Sequence, residues 1–351
     1  MTGKRFALHR WLRPKSRAIF EACSIGLVSA LAAVWLKNSI MWLEMWRRSV
    51  NEYTFPWIAL PIIGIAAGLL SGWLVERVAR EASGSGIPQV KAALAYVPIA
   101  LDLRVALVKL VSTSLSLGSG LALGRQGPTV QIGAALAAQL SNWTATSPAY
   151  RRQLLAAGAA AGLAAGFNAP IAGVLFAIEE LLQDLSDVTL GTAILAAFVG
   201  GVVSRLLGGR GLIPELDGID TSFSVVDIPF LLVLGLIAGL LGGLFSRGIL
   251  ASLAINRHFL RTWTLPWRMA LAGGMTGVII ALLPPLLRRS SELQDVLVIG
   301  NMDWQLRAIA LISQFCLIAI AYGSGAPGGL FAPCLILGSA LGGLVVTGVV
   351  G

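Results

Sequence analysis

Apolar residues fill long stretches of this chain, and polar residues collect in the short segments between them. Four stretches contain no charged residue: 58–75, 156–178, 228–246 and 308–351. Runs of this length match the roughly 20 residues that a helix needs to cross a bilayer. The pattern predicts helices over residues 18–36, 57–76, 104–122, 128–141, 150–166, 170–183, 190–207, 228–248, 266–287, 305–322 and 332–349.

Joints with polar residues, glycine or proline are expected between these helices, at 37–56, 77–88, 142–148, 208–227 and 288–303. The joint at 208–227 is as long as the one at 37–56 and lies near the middle of the chain. It divides the chain into a first transmembrane repeat over 18–207 and a second one over 228–351. A basic amino-terminal segment over 1–17 precedes both.

Composition supports an all-α integral membrane protein. Hydrophobic residues make up 56% of the chain and charged residues only 12%, whereas soluble domains carry about 25% charged residues. The first segment holds six basic residues, which predicts a cytoplasmic amino terminus: Lys4, Arg5, Arg10, Arg13, Lys15 and Arg17. Because the helix over 18–36 contains Glu21 and lacks a small-residue cleavage site, we interpret it as a retained helix and not a signal peptide. The net charge of +9 then reflects membrane topology, and no nucleic-acid partner is expected.

The cysteines and histidines give no sign of a metal site or an enzyme. Cys23, Cys316 and Cys334 lie far apart in apolar surroundings, with neither metal-ligand nor disulfide spacing. His9 and His258 fall in basic segments that are predicted to be loops. We therefore expect no metal, no cofactor and no catalytic activity.

Two sequence patterns recur in the two halves. Gly84-Ser-Gly-Ile-Pro88 is repeated as Gly323-Ser-Gly-Ala-Pro327. The spacing Gly124-x3-Pro128-x4-Gly133-x2-Leu136 is repeated as Gly329-x3-Pro333-x4-Gly338-x2-Leu341. Broken apolar segments at matching places in two halves are typical of a transporter binding site. The sequence predicts an internal repeat and leaves its orientation open.

The segments at 84–88, 124–128 and 327–333 have the chemistry of an anion site. The first N–H groups of a helix lack intrahelical acceptors, and its dipole places a partial positive charge there. Glycine lets an anion approach the backbone, and proline in the first turn removes an N–H that has no partner. Ser85 adds a hydroxyl donor. The alternative is that these residues only permit close helix packing and kinks.

Four segments together resemble the CLC family of chloride channels and chloride/proton antiporters: Gly84–Pro88, Gly124-Arg-Gln-Gly-Pro-Thr-Val-Gln-Ile-Gly133, Gly166-Phe-Asn-Ala-Pro-Ile-Ala-Gly173 with Glu179-Glu180, and Gly325-Ala-Pro-Gly-Gly-Leu-Phe-Ala-Pro333. They stand in the family's order and cover nearly the whole chain. The resemblance implies an inverted-repeat bundle of tilted and broken helices. It also implies a homodimer with one pathway for chloride in each subunit, located in a membrane and most simply the inner membrane of a bacterium.

The resemblance also assigns residues to the anion path. Ser85 would donate its hydroxyl to a central ion, as in chloride-preferring members, where nitrate-preferring ones carry proline. The N–H groups of Leu330 and Phe331 would complete that site, and those near Arg125, Gln126 and Gly127 would frame an outer site. The full set of candidate anion-binding residues is Gly84, Ser85, Gly86, Ile87, Arg125, Gln126, Gly127, Leu330, Phe331 and Ala332.

The gate departs from the family pattern. Where the family has a glutamate that acts as external gate and outer proton acceptor, this chain has Gln126. An amide has no carboxylate to compete with chloride and cannot take up a proton. Glu180, with Glu179 beside it, matches the family's inner proton-transfer glutamate, but alone it cannot complete proton exchange. We predict passive chloride conduction. The alternative is a proton-coupled antiporter that uses another outer acid such as Glu21.

Two further features qualify this prediction. Lys109 lies in an apolar run, where it is expected either to tune the electrostatic potential of the path or to snorkel to an interface; Arg125 is likewise a functional cation or an anchor for its turn. The chain also stops at Gly351, before the helices that in the family supply a tyrosine hydroxyl to the central ion and part of the dimer interface. The carboxyl-terminal helices are therefore predicted to be absent. A third hypothesis follows, that of a non-transporting membrane subunit.

Overall fold

The structure is a computed structural model, and it describes residues 14–53, 55–144, 146–182, 187–208, 225, 228–288, 293–299 and 302–350. Over these residues the chain forms thirteen α-helices. They are α1 (Pro14–Tyr53), α2 (Pro56–Arg77), α3 (Ile87–Leu94), α4 (Leu103–Gly118), α5 (Gln126–Thr144), α6 (Pro148–Phe167), α7 (Pro170–Phe176), α8 (Asp187–Leu206), α9 (Ile228–Phe259), α10 (Leu265–Leu282), α11 (Leu293–Ile299), α12 (Trp304–Gly323) and α13 (Phe331–Val350).

Apolar helices confirm the prediction of an all-α membrane protein. Among the described residues, five helices are long and apolar enough to cross a membrane: α1, α2, α9, α10 and α12. α9 is the extreme case, because none of its most apolar 18-residue window is buried inside the protein. Such a helix suits a lipid environment, since side chains without a polar coat would be exposed to water in a soluble protein.

Helix lengths recur in the same order in the two halves. α1 to α5 contain 40, 22, 8, 16 and 19 residues. α9 to α13 contain 32, 18, 7, 20 and 20 residues. Each of these runs of five helices thus begins with a long helix and places its one short helix third. The internal repeat predicted from the sequence corresponds to this recurrence of elements.

The repeat pairs different segments than the sequence suggested. α4 ends at Gly118 and α12 ends at Gly323. Gly-Ser-Gly therefore recurs as 118–120 and 323–325, and the last glycine has a positive φ in both copies, 109° and 84°. The segment 84–88, which we matched by its letters to 323–327, leads instead into the short helix α3. The match of 84–88 to 323–327 was wrong because it compared only five residues and ignored their position relative to the neighbouring helices.

A local two-fold axis relates the halves at the centre of the molecule. Gly124 and Gly329, which are equivalent in the repeat, form an isolated antiparallel bridge. Each N–H donates to the other's carbonyl, at 2.7 and 2.6 Å. Two equivalent residues can exchange hydrogen bonds in this way only if their chains run in opposite directions. The repeat is therefore inverted at this point, as the family resemblance implied.

Close glycine contacts set the spacing of the helices around this axis. A Cβ on Gly64 of α2 would lie 2.2 Å from the carbonyl oxygen of Gly273 in α10, and a Cβ on Gly273 would lie 2.1 Å from that of Gly64. Likewise a Cβ on Gly133 of α5 would lie 2.1 Å from the Gly158 oxygen in α6. Small residues at such crossings let helix backbones approach closely in membrane proteins. The contact of Gly133 with Gly158 holds α5, whose first turn lies at the candidate site, against α6.

Several predicted boundaries were wrong, each for a local reason. α1 runs through most of the predicted joint at 37–56, to Tyr53, since this joint contains no glycine or proline before Pro56. α9 likewise continues to Phe259, so His258 lies in its last turn and not in a loop. α4 stops short of residue 122 at the Gly-Ser-Gly turn, and α10 stops before Pro284-Pro285. The predicted joint at 288–303 contains α11.

Some predictions concern residues outside the described ones. These are most of the basic segment over 1–17, including His9, and nearly all of the joint over 208–227. The described cysteines Cys23, Cys316 and Cys334 are all free thiols. Among the described residues there is no group of His, Cys, Asp and Glu side chains that could hold a metal ion.

Candidate functional site

Three helix amino termini meet at the centre of the molecule: those of α3, α5 and α13. The turn before α3 is joined to the second half by two hydrogen bonds, in which the Gly84 N–H donates to the Gly325 carbonyl at 3.2 Å and the Gly328 N–H donates to the Gly84 carbonyl at 3.0 Å. The Gly124–Gly329 bridge joins α5 to α13 in the same region. Segments far apart in sequence thus form one assembly of helix starts.

Glycine conformation allows the turn before α3 to form. Gly84 and Gly86 both have positive φ, 63° and 96°, which is readily adopted only without a Cβ. Gly86 caps α3, and Pro88 lies in the first turn of that helix. Ser85 stands between the two glycines, at the point where the chain turns toward α5.

Ser85 lies directly beside the first turn of α5. A Cβ on Gly127 would lie 2.6 Å from the Ser85 carbonyl oxygen and 3.0 Å from its Oγ. The Ile87 N–H is directed toward Ser85 Oγ at 3.4 Å. Because that hydroxyl oxygen accepts from Ile87, its own proton is available to a further acceptor. The Ser85 hydroxyl and the amino terminus of α5 therefore present hydrogen-bond donors to the same small volume.

The amino termini of α5 and α13 face each other across the local two-fold axis at the Gly124–Gly329 bridge. A Cβ built on Gly124 would lie 3.3 Å from the backbone nitrogen of Ala332. A Cβ built on Gly329 would lie 3.1 Å from the backbone nitrogen of Gly127. Both nitrogens belong to the first helical turn, where N–H groups have no intrahelical acceptor. Two helix dipoles also place partial positive charge here. The arrangement favours an anion.

Gln126 is buried at the junction, the place where the amino termini of α3, α5 and α13 meet. It is 2% exposed, and neither its Oε1 nor its Nε2 has a hydrogen-bond partner within the described part of the chain. Its Oε1 lies against Gly124, where a Cβ would be only 2.5 Å away. Because an unpaired buried amide is costly, a polar guest is expected next to it.

Lys109 supports the turn that carries Ser85. It is fully buried, and its Nζ donates to the carbonyls of Ala82 at 2.9 Å and Gly84 at 2.6 Å. The alternative that Lys109 snorkels to an interface is therefore wrong. Sequence reasoning missed this role in positioning the turn, although the charge in an apolar run signalled that a partner had to exist.

The predicted acids lie away from this junction. Glu180 follows α7 in a π-helical turn, Ala177–Leu182, and its Oε1 accepts from Lys91 Nζ at 2.7 Å. Glu179 is exposed beside it. Glu21 is buried near the carboxyl end of α5, with Tyr150 Oη donating to it at 2.7 Å and Arg17 Nε at 3.0 Å. Since the 19 residues of α5 span about 28 Å, Glu21 lies far from Gln126.

Arg125 and the remaining candidates occupy the same neighbourhood as the helix starts. The Arg125 side chain is half-buried and makes no hydrogen bond or ion pair within the described residues. Phe331 begins α13 and Leu330 directly precedes it; the Phe331 ring packs edge-on against Phe167 at a centroid distance of 4.9 Å. The structure thus brings together the predicted segments 84–87, 124–127 and 329–332. It does not bring Glu179 or Glu180 to them.

Comparison with known proteins agrees with this geometry. A family model described as the voltage gated chloride channel matches residues 67–350, which is most of the chain. This chain belongs to the CLC family.

Bacterial exchange transporters are among the curated CLC relatives. The H(+)/Cl(−) exchange transporter ClcA of Klebsiella pneumoniae subsp. pneumoniae is 31% identical over 336 residues, which cover 92% of this chain and 71% of the relative. The ClcA proteins of Citrobacter koseri and Vibrio vulnificus are 32% and 30% identical over the same length, covering 70% and 71% of those relatives.

Solved CLC structures share the fold. A slow cyanobacterial Cl−/H+ antiporter superposes with a TM-score of 0.82 at 28% identity, covering 93% of this chain and 77% of the other. A eukaryotic CLC transporter gives 0.75 at 26% identity, covering 91% and 57%. A CLC-type fluoride/proton antiporter gives 0.72 at 26% identity, covering 93% and 80%. The chain is an integral, multi-pass membrane protein with the CLC anion-transport fold.

Proposed function

We propose that this CLC protein conducts chloride passively, without coupling to protons. The observation that carries the proposal is the Gln126 amide, buried between the starts of α5 and α13 with no hydrogen-bond partner within the described part of the chain. An amide there donates to an anion and accepts no proton. The outer end of a proton route would then have no titratable group.

Chloride is the proposed ion because of the donors that surround the junction. Ser85 supplies a hydroxyl, and Gly127 and Ala332 supply N–H groups from opposing helix termini. In this proposal Lys109 supports the Ser85 turn, since two of its three N–H donors bond the Ala82 and Gly84 carbonyls, and the anion is held by neutral donors. Neutral donors bind an anion weakly enough for it to leave, which conduction requires.

Proton-coupled exchange is a second candidate. The bacterial relatives carry the name H(+)/Cl(−) exchange transporter, and the cyanobacterial structure is that of a Cl−/H+ antiporter. Coupling would need an outer acid in place of Gln126. Glu21 is poorly suited to that role, because it is bonded to Arg17 and Tyr150 near the far end of α5.

Purified protein in liposomes tests the proposal. Vesicles loaded with potassium chloride are diluted into chloride-free buffer, and efflux is started with a potassium ionophore. We expect chloride efflux of the same rate with and without a proton ionophore, because no proton needs to move. Efflux that depends on the proton ionophore would support coupled exchange, and absence of any chloride efflux would contradict both candidates.

A homodimer and the inner membrane of a bacterium complete the proposal. Both follow from the CLC resemblance and from the bacterial origin of ClcA relatives. The mass of the detergent-solubilised particle tests the first, and fractionation of the host's membranes tests the second.

A further inference from the structure

A cleft of about 460 Å³ lies between α9, α10 and α12, outside the junction of helix starts. Its wall is largely apolar and includes Ile255, Leu271 and Met275, which are 55%, 41% and 45% exposed. Apolar side chains exposed in this way face lipid in a membrane protein, so the cleft opens sideways into the bilayer. Its volume lies in the range of sites that hold small organic ligands.

One end of this cleft is basic. Arg268 of α10 lines it, and its Nε and Nη2 donate to the carbonyls of Trp263 and Arg261 at 3.0 and 3.3 Å. The guanidinium keeps further N–H donors that no described residue uses. The side chains of Arg257 and Arg261 make no hydrogen bond or ion pair within the described residues. Because residues 228–291 contain no aspartate or glutamate, α9, α10 and the loop between them cannot neutralise this charge.

Asn256 adds an unpaired acceptor at the same end of the cleft. It lies in the last turn of α9, whereas Arg268 lies in the first turn of α10, and both line the cleft. Asn256 Nδ2 donates to the Ser252 carbonyl at 3.3 Å, but its Oδ1 is buried without a hydrogen-bond partner in the described part of the chain. Since buried acceptors are normally bonded, a ligand with a hydroxyl donor suits this end.

The packing of α10 on α2 places the basic end on the amino-terminal side of the membrane. A Cβ on Gly72, near the end of α2, would lie 2.5 Å from the Cα of Pro266, at the start of α10. α2 begins at Pro56, directly after α1 ends at Tyr53, so it crosses back to the side where α1 begins. That side carries the basic amino-terminal segment and is predicted to be cytoplasmic. Trp267, 57% exposed, suits the headgroup level there.

The first half of the chain has an equivalent cleft that is not basic. It lies between α1 and α4, and no arginine or lysine is among the described residues that line it. The lining residues from α4 and α12 correspond at the spacing that relates Gly118 to Gly323: Val111 to Cys316, Ser114 to Ala319, and Leu115 to Ile320. The cleft itself therefore follows from the inverted repeat, whereas its basic end belongs to the second half.

We propose that the cleft between α9, α10 and α12 binds an anionic phospholipid of the cytoplasmic leaflet, with its phosphate at Arg268 and Arg261 and an acyl chain along the apolar wall. Basic pockets between transmembrane helices on the cytoplasmic side suit such headgroups. Phosphatidylglycerol meets both polar features, because its phosphate accepts from arginine and its glycerol hydroxyls can donate to Asn256 Oδ1. The site lies outside the anion path, so it does not depend on whether conduction is coupled to protons.

Protection of a thiol in the cleft tests this site. Cys316 lines the cleft and is exposed, whereas Cys334 is an exposed thiol in α13 that does not line it. The purified chain in a neutral detergent is mixed with dioleoylphosphatidylglycerol or dioleoylphosphatidylcholine and alkylated with N-ethylmaleimide, and each thiol is followed by peptide mass spectrometry. Phosphatidylglycerol should protect Cys316 at a concentration at least about fivefold lower than phosphatidylcholine, the factor for roughly 1 kcal/mol per basic side chain. Cys334 should react equally with both lipids.

Three arginine variants locate the phosphate. Arg268→Gln should raise the phosphatidylglycerol concentration for half-protection of Cys316 by about fivefold. Because Arg268 also bonds the loop, Arg261→Gln repeats the test at a side chain without such bonds, and the same shift is expected. Arg104→Gln is the matched control, since Arg104 is exposed and lies outside the cleft, and it should cause no shift. A single symmetric peak in size-exclusion chromatography shows that a variant is folded.

Several results would overturn the proposal. These are equal protection of Cys316 by the two lipids, protection by neither, and an unchanged phosphatidylglycerol requirement in the folded Arg261→Gln variant. An equal shift in Arg104→Gln would also overturn it, because the effect would then be one of overall charge. Soluble glycerol 3-phosphate should leave Cys316 unprotected, and protection by it would mean that the cleft holds a phosphate and not a lipid.

Discussion

Replacing Gly133 with alanine tests whether close packing of α5 on α6 holds the anion site in place. A Cβ at this position would lie 2.1 Å from the Gly158 carbonyl oxygen, whereas ordinary contact begins at 3.4 Å. The obstacle is backbone in a helix and not the end of a flexible side chain. The two helices must therefore separate by more than 1 Å at their crossing, and α5 carries Gln126 and Gly127 in its first turn.

The expected magnitude follows from two opposing effects. Overpacking a close contact costs about 1–3 kcal/mol, and exchanging glycine for alanine inside a helix recovers about 0.5–1 kcal/mol. The net destabilisation of Gly133→Ala is therefore about 0–2.5 kcal/mol, with a centre near 1 kcal/mol. A matched control is Gly239→Ala in α9, where a Cβ meets nothing within 4 Å, so only the helical gain of about 0.5–1 kcal/mol applies.

Thermal unfolding of the two variants in detergent, together with chloride efflux from liposomes, measures both effects. Gly133→Ala should unfold at a lower temperature than the unmodified protein and carry chloride more slowly, whereas Gly239→Ala should unfold at the same or a higher temperature with unchanged flux. If Gly133→Ala were as stable and as active as Gly239→Ala, the packing of α5 on α6 would not position the site.

Three further substitutions test individual side chains. Gln126→Glu should slow chloride flux at neutral pH and make it faster in acid, because a carboxylate competes with chloride until it is protonated; flux that is unchanged and insensitive to pH would mean that residue 126 does not line the path. Ser85→Ala should weaken chloride binding by roughly 10- to 150-fold in calorimetry, because it removes one hydroxyl donor to a charged group worth about 1.5–3 kcal/mol, and equal affinity would exclude Ser85 from the site. Tyr150→Phe removes the 2.7 Å hydrogen bond to Glu21 and should lower stability by about 1.5–3 kcal/mol without changing the pH dependence of flux; a changed pH dependence would reopen Glu21 as an outer acid.

Helix ends could be predicted from the sequence where proline residues terminate the helix. Pro284-Pro285 ends α10 and Phe55-Pro56 separates α1 from α2, since the residue before proline disfavours helical φ and ψ. Counting charges was a poor guide, because α1 continues past Lys37 as a regular helix to Tyr53. Buried Arg47 shows why: its partner Glu44 stands one turn earlier on the same helix.

The candidate site was predictable as a set of segments but not as an arrangement. Glycine, proline and serine at 84–88 and 124–128 indicated helix starts with open N–H groups. Their spacing could not show that Gly124 pairs with Gly329, or that Gly84 pairs with Gly325 and Gly328, because these contacts join residues about 200 or more positions apart. The partners of Lys109 are 25 and 27 residues away along the chain and that of Glu180 is 89 residues away, so sequence spacing did not reveal them either.

The central claim is that this CLC protein moves chloride without protons, and uphill proton transport measures it most directly. Liposomes containing the unmodified chain are placed in a chloride gradient with equal pH inside and outside, and the external pH is followed as chloride moves. Passive conduction predicts that the pH stays constant while chloride crosses the membrane. Proton movement against its own gradient, in fixed proportion to chloride, would contradict the claim.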